Sequence, residues 1–177
     1  MSIAIGTERL SMRQLSSNDW SLFLDLQTDS DVIALCFDKP SEAEVRDRFE
    51  SRLPKWEANS EHWLCLTIIE NKTGQKVGVT GFNISDGVAE VGYLILPTFH
   101  GNGFGTESLE ALLDWSKEFS EISSYQATVT RGNIASERVL EKCGFSLSRI
   151  AKDAYEIRGE LYDDHIYSLD RTVVVNE

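Results

Sequence analysis

The stretch PTFHGNGFGTESL carries glycine at three alternate positions, Gly101, Gly103 and Gly105, just ahead of an apolar stripe containing Leu109, Leu112 and Leu113. A helix starting near Phe104 leaves its first N–H groups without intrahelical partners, and its dipole favours negative charge at that end. Glycines in front of it let the backbone approach a ligand closely. His100, Gly101, Asn102, Gly103, Phe104, Gly105 and Thr106 therefore make a candidate anion nest suited to phosphates. A nucleotide-hydrolysing loop would place Lys and then Ser or Thr after its last glycine, whereas Thr106 and Glu107 follow Gly105. A dinucleotide fingerprint would need glycine at position 106 and an early strand–helix–strand unit, and neither is present.

Two further places carry candidate chemistry. Glu90 sits in the apolar strand-like run VAEVGYLIL, where period two puts it on one face with Gly92 and Leu94. An ionisable group in such a strand either lines a cleft or forms a structural pair, and desolvation would raise its pKa toward working pH. Asn133 has the identity of a helix cap, and Ser136 falls in the first turn after it. Cys36, Cys65 and Cys143 are odd in number, widely spaced and embedded in apolar sequence, which predicts buried free thiols rather than disulfides, zinc ligands or an acyl-cysteine nucleophile.

These residues need elements to hold them. TERLSMRQL alternates as a half-buried first strand, and Ser17 or Asn18 can cap a helix carrying Trp20, Phe23, Leu24 and Leu26. Ser41 and Glu44 have capping-box spacing before a second helix with Val45, Phe49 and Leu53 on one face, ended or bent at Pro54. HWLCLTIIE, KVGVTGFNI and VAEVGYLIL, joined by NKTG and SDG, predict an antiparallel meander. The central helix follows the glycine turn, with Phe119 continuing its apolar stripe. YQATVT is then a strand, ASERVLEKCGF a short helix ended by Gly144, and FSLSRIAKDAYEI and LYDDHIYSLDR two strands joined around Arg158, Gly159 and Glu160. The expected class is α+β, a mixed and mostly antiparallel sheet of about seven strands covered by helices, in one domain over 1–177.

The 177 residues have a net charge of −12, from 17 Lys plus Arg and 29 Asp plus Glu, which repels a nucleic-acid backbone and suits a cationic amine. Asp29, Asp31, Asp38, Glu42 and Glu44 concentrate that charge around the first two helices. No run reaches the ~20 apolar residues that span a bilayer, and MSIAIGTERL lacks the basic start and apolar core of a secretory signal, so a cytoplasmic protein without membrane contact is expected.

PTFHGNGFGTESL resembles the acetyl-coenzyme A signature of the GNAT N-acetyltransferases, in which Gln or Arg, two residues, Gly, one residue, and Gly or Ala open the central helix. The match falls on His100, Gly103 and Gly105, with Gly101 extra and His100 in place of the usual Gln or Arg. GNIASERVLEKCGF resembles the second signature through Asn133, Ser136, Arg138 to Leu140, and Gly144 with Phe145. TERLSMRQL, EVGYLILPTFHG and DDHIYSLDR look like the branch that acetylates ribosomal-protein N-termini, so the resemblance runs from Thr7 to Arg171.

The resemblance implies a sheet splayed after its fourth strand, with helices on both faces and acetyl-coenzyme A in the opening as co-substrate. The pyrophosphate would lie on the glycine turn, backbone N–H groups near Leu94 and Leu96 beside the acetyl group and pantetheine, and Asn133 on the pantetheine or holding Ser136. Acyl transfer to an amine needs a deprotonated nitrogen, stabilised charge on the carbonyl oxygen and a proton for the thiolate. Glu90 is the candidate base or water positioner and Ser136 the candidate proton donor, with Tyr155 and Tyr162 as alternatives and His165 as a possible pocket residue. No metal is needed. The acceptor would be a primary amine, either the α-amine of a ribosomal or other protein or a small amine such as a polyamine, amino sugar or antibiotic. A non-catalytic acyl-coenzyme A binding module is the third reading, and a monomer and a homodimer both fit.

Overall fold

The computed structural model describes residues 2–170, so Arg171 in the final resembling stretch lies outside the described residues. Among the described residues, eight strands form one sheet in the order β1-β2-β3-β4-β5-β6-β8-β7. They are β1 (Ala4–Gly6), β2 (Leu10–Gln14), β3 (Leu64–Glu70), β4 (Lys76–Ser85), β5 (Val88–Ile95), β6 (Ser124–Thr130), β7 (Ser146–Ile157) and β8 (Glu160–Asp170). The helices are α1 (Trp20–Thr28), α2 (Ser30–Ile33), α3 (Glu42–Ser51), α4 (Phe104–Ser116) and α5 (Ile134–Lys142). The sheet thus has one strand more than the sequence pattern indicates. The addition, β1, is three residues long with only Ile5 buried, too short to show a period.

Every strand pairing is antiparallel except β5 with β6. That pairing covers only Val88 to Glu90 against Ser124 to Gln126. Beyond Glu90, β5 runs on beside β4 to Ile95, and β6 runs on beside β8 to Thr130. The two middle strands therefore diverge, and the sheet opens between them.

Both faces are covered. Leu109, Leu112 and Leu113 of α4 pack with Leu64, Leu66, Ile68, Val91 and Tyr125. Phe23 and Leu26 of α1 and Val45 and Phe49 of α3 pack with Leu15, Cys65 and Val79 on the other side. Full burial of each such side chain stabilises by roughly 1.5–3 kcal/mol. Phe119 lies past the end of α4 yet still packs on that core, in edge contacts with Trp56 and Trp115.

Local chemistry sets the helix ends. Ser41 accepts the Glu44 N–H at 3.2 Å, as its spacing predicts, while α3 ends at Ser51 before Leu53 and Pro54. The first helix begins differently from expectation. Ser16 caps a 3-10 turn over Ser17–Asp19, and Asp19 rather than Ser17 or Asn18 stands at the N-cap of α1. Asp19 explains the change. Its fully buried carboxylate accepts from the Ser16 N–H (2.9 Å) and Thr67 Oγ1 (2.9 Å), and pairs with Arg13 (2.7 Å) and Lys76 (2.8 Å). This one carboxylate ties the start of α1 to β2, β3 and β4.

Candidate active site

The glycine turn is bounded by the short 3-10 turn Pro97–Phe99 and α4. Gly101 and Gly103 both have φ of +77°, a region that L-residues with side chains resist. The first backbone bond of the helix runs from the Glu107 N–H to the Gly103 carbonyl at 3.0 Å. The N–H groups of residues 101–106 donate to no acceptor among the described residues. Bare amides at a positive helix end favour an anion.

A clamp from the first two strands holds this turn. Glu107 accepts from Thr7 Oγ1 (2.6 Å), the Arg9 N–H (3.1 Å) and Arg9 Nε (2.6 Å). Arg9 Nη1 donates to the Asn102 carbonyl at 2.8 Å, and the guanidinium lies 4.7 Å from the centre of the Phe104 ring. Burial raises the Glu107 pKa, but the hydrogen bonds from Thr7 and Arg9 outweigh it and hold the carboxyl below its usual range. Asn102 turns its side chain to the Phe99 (3.0 Å) and His100 (3.3 Å) carbonyls. The exposed His100 donates from Nε2 to the Ile95 carbonyl at 2.8 Å, which fixes the proton on that nitrogen and pins the turn to the end of β5.

From this turn a groove of about 470 Å³ runs toward the splay. Leu94, His100, Gly101, Gly103, Phe104, Gly105 and Thr106 line it, as do Asn133 and Ser136; Asn102 and Leu96 do not. The Leu96 N–H is committed to the Val77 carbonyl at 2.9 Å. On the opposite wall α5 contributes Arg138 and Lys142, so two cations flank the seat that lacks a neighbouring lysine in sequence. A second, inner pocket of about 250 Å³ lies between the diverging strands. Leu35, Cys36, Tyr93, Asn133 and Ser136 line both spaces, and Tyr155 and Asp164 line the inner one.

Asn133 caps α5 by accepting the Ser136 N–H at 3.3 Å. Tyr93, on β5, donates its hydroxyl to the Ser136 carbonyl at 2.9 Å, a bond that crosses the splay. Burial pushes the Tyr93 phenol well above its ordinary pKa, so it acts as a donor. Glu90 is exposed on the face shared with Gly92 and Leu94, in register with Asn83 and Gln126, and lines neither space. Trp63 covers that face, since a Cβ on Gly92 would meet its ring at 3.5 Å.

The other candidates are spread out. Tyr162 donates to Glu160 at 3.2 Å away from both spaces. His165 pairs through Nδ1 with Glu137 of α5 at 2.5 Å and lines neither. Of the acidic group, Asp29 caps α2, Asp38 accepts the Arg158 N–H at 2.7 Å, Asp31 lines the groove, and Glu42 and Glu44 are exposed in the first turn of α3. All three cysteines are free thiols, but only Cys65 is fully buried and Cys36 borders the site. Burial and nearby Glu110 push the Cys143 thiol up to about 12, and its Sγ donates to the Thr106 carbonyl at 3.7 Å.

Sequence reading missed Leu35, Cys36, Lys142 and Asp164 as lining residues, and it singled out neither Tyr93 nor, beyond its place in the second signature, Arg138. The last strand gave one local signal, the polar run Tyr162-Asp163-Asp164-His165 inside β8. Leu35 and Cys36 gave none, because the four-residue α2 that delivers them is too short to show a period.

The family described as acetyltransferase (GNAT) domain matches residues 9–146. The uncharacterized N-acetyltransferase p20 of Bacillus licheniformis is 26% identical over 171 residues, covering 92% of this chain and 93% of its own length. The solved acetyltransferase of Salmonella typhimurium that modifies the N-terminal serine of ribosomal protein L7/L12 superposes with a TM-score of 0.83 at 20% identity, covering 96% of this chain and all of its own. Spermidine N-acetyltransferase of Vibrio cholerae, solved with coenzyme A and spermine, superposes with a TM-score of 0.80 at 18% identity, covering 93% and 96%.

Proposed function

The chain belongs to the GNAT acetyltransferase family and is an acetyl-coenzyme A-dependent N-acetyltransferase, and from that premise we propose that its acceptor is the α-amine of a ribosomal or other protein N-terminus. One observation carries the reading: Tyr93, Asn133 and Ser136 border both the groove and the inner pocket, so two ligands entering from opposite ends meet beside the Ser136 hydroxyl.

The residues present fit the coenzyme. The bare amides of residues 101–106 take the pyrophosphate, with Arg138 and Lys142 across the groove, and Leu94 flanks the pantetheine. The coenzyme supplies an acetyl thioester. The amine nitrogen attacks its carbonyl carbon, the carbon–sulfur bond breaks, and the ammonium proton leaves to solvent. Ser136 hydrogen-bonds the departing thiolate or passes it a proton that solvent returns to the hydroxyl. Asn133 and Tyr93 hold Ser136 in place through its N–H and carbonyl. Glu90 lies on the strand face beside Gly92, outside both spaces, and reaches the amine's proton only through intervening water. Three free thiols suit a reducing compartment, and we place the reaction in the cytoplasm.

The inner pocket favours a singly charged amine, because Asp164 is the one carboxylate among its lining residues. A polyamine would draw on several. The second reading, a small cationic amine, is favoured by the net charge of −12 and by Asp31 at the groove. A panel of Ser- and Ala-starting peptides, spermidine and an aminoglycoside, incubated with acetyl-coenzyme A and read by mass spectrometry, separates the two. Acetylation of peptide α-amines supports the proposal, and acetylation of the small amines alone overturns it.

A further inference from the structure

The inner pocket has a mostly neutral lining. Gly92 and Tyr93 come from β5, Thr128 and Thr130 from β6, and Tyr155 from β7. Asp164 of β8 is the exception. In register it stands beside Thr130 on one side and Ala151 on the other, which sets its carboxylate at the open end of the splay. Strand alternation sends its two neighbours to the opposite face. There Asp163 is neutralised by Lys152 at 3.0 Å, by Arg131 at 3.7 Å and by the Asp153 N–H at 3.0 Å. His165 is engaged with Glu137. Of the three side chains, only the Asp164 carboxylate makes no hydrogen bond or ion pair among the described residues.

A half-buried carboxylate without a partner forfeits hydration and receives nothing in exchange. Burial and the neighbouring Asp163 both raise its pKa, against a smaller opposing pull from His165. A positive ligand would reverse that balance. Thr130 and Tyr155 add hydroxyls to the same lining, able to accept further N–H bonds. An ammonium group has three donors and no acceptor, which matches a site of one carboxylate and two hydroxyls.

We propose that Asp164 is the residue that binds the acceptor: its carboxylate takes an N–H of the incoming primary ammonium and holds that nitrogen in the inner pocket facing Ser136. The assignment rests on the acetyltransferase reading and adds to it the group that selects a cation at the reacting position. Asp164 acts in binding; Ser136 and Glu90 keep the roles given above.

Steady-state kinetics test it, with acetyl-coenzyme A and whichever amine of a panel of Ser- and Ala-starting hexapeptides, spermidine and an aminoglycoside the wild-type protein acetylates fastest. Asp164→Asn keeps the side chain's size. It is expected to raise KM for the amine at least tenfold while KM for acetyl-coenzyme A stays within twofold, and a smaller rise in amine KM overturns the proposal. A second measurement needs no variant. The hydroxyl analogue of the same acceptor, neutral at the reacting position, should inhibit the wild type with a constant at least tenfold above the amine KM; closer values overturn the proposal. Thiol release by the wild type with unchanged amine KM in Asp164→Asn refutes the role of Asp164 alone. Absence of thiol release by the wild type with every amine refutes the acetyltransferase reading and this proposal with it.

Discussion

Two glycines of the same turn should respond to the same substitution in opposite ways. At Gly103 the backbone has φ of +77°, and an added Cβ would meet only Arg9 Nη2, at an ordinary 3.5 Å. Gly103→Ala therefore carries mainly the left-handed backbone penalty, about 1–2 kcal/mol of stability. Gly105 lies in the first turn of α4 without a positive φ, where an added Cβ would meet Val139 Cγ2 at 3.4 Å. Alanine there gains up to ~1 kcal/mol of helix propensity, which offsets the tight contact, so the melting temperature should hold or rise. Gly103 also lines the groove and carries one of the bare amides, whereas a Cβ on Gly105 would face Val139 and the resembling motif admits alanine there. A Gly103→Ala backbone shift that withdraws one charge-assisted hydrogen bond from the pyrophosphate removes about 1.5–3 kcal/mol of binding, roughly a tenfold to hundredfold rise in Kd, while Gly105→Ala keeps the wild-type Kd. Calorimetric titration with coenzyme A, beside thermal melts of both variants, measures the two effects separately. Wild-type Kd in Gly103→Ala would refute the placement of the pyrophosphate on this turn.

Three other perturbations follow from the same contacts. Tyr93→Phe leaves the Ser136 carbonyl without its 2.9 Å donor, at a cost of about 1–3 kcal/mol; kcat should fall more than coenzyme affinity, and unchanged kcat would mean that the bond across the splay does not position Ser136. Ser136→Ala should lower kcat by about a hundredfold or more with coenzyme A Kd unchanged in titration, whereas wild-type kcat would remove Ser136 from the chemistry. For Asp19, burial pushes the carboxyl pKa up, but hydrogen bonds from Arg13, Lys76, Ser16 and Thr67 outweigh it and leave the folded value well below the ordinary one. The stability it contributes is then full above the unfolded value of about 3.9 and is lost as pH falls through the lower folded value. Asp19→Asn should cost about 3 kcal/mol in urea unfolding at pH 7 and flatten the acid limb of stability against pH; an unchanged acid limb would contradict this.

Where the sequence was informative, its signals were local. The glycine turn, the Ser41 cap, the SDG hairpin and the stripe of α4 each depend on residues within a few positions of one another, and all four form where their spacing puts them. Asp86 and Gly87 at the hairpin both take positive φ, as that turn requires. The rest depended on long-range meetings. SSND looks like a plain cap until Arg13 and Lys76 arrive from two strands to make Asp19 a buried hub. Nothing near residue 102 indicates that Arg9, 93 positions earlier, will grip its carbonyl. The parallel pairing that stops at Glu90 opens the sheet, and no residue within β5 marks that stop. His100 departs from the resembling motif, and its bond to the Ile95 carbonyl shows the ring engaged in holding the turn.

Acetyl-coenzyme A must occupy the groove with its pyrophosphate on the glycine turn and its thioester at the splay for this chemistry to run. A crystal structure of the protein soaked with coenzyme A tests it most directly. Pyrophosphate oxygens are expected within hydrogen-bonding distance of the residue 101–106 amides, and the thiol between β5 and β6 beside Ser136. A pyrophosphate seated away from those amides, or a thiol that does not reach the inner pocket, would contradict it.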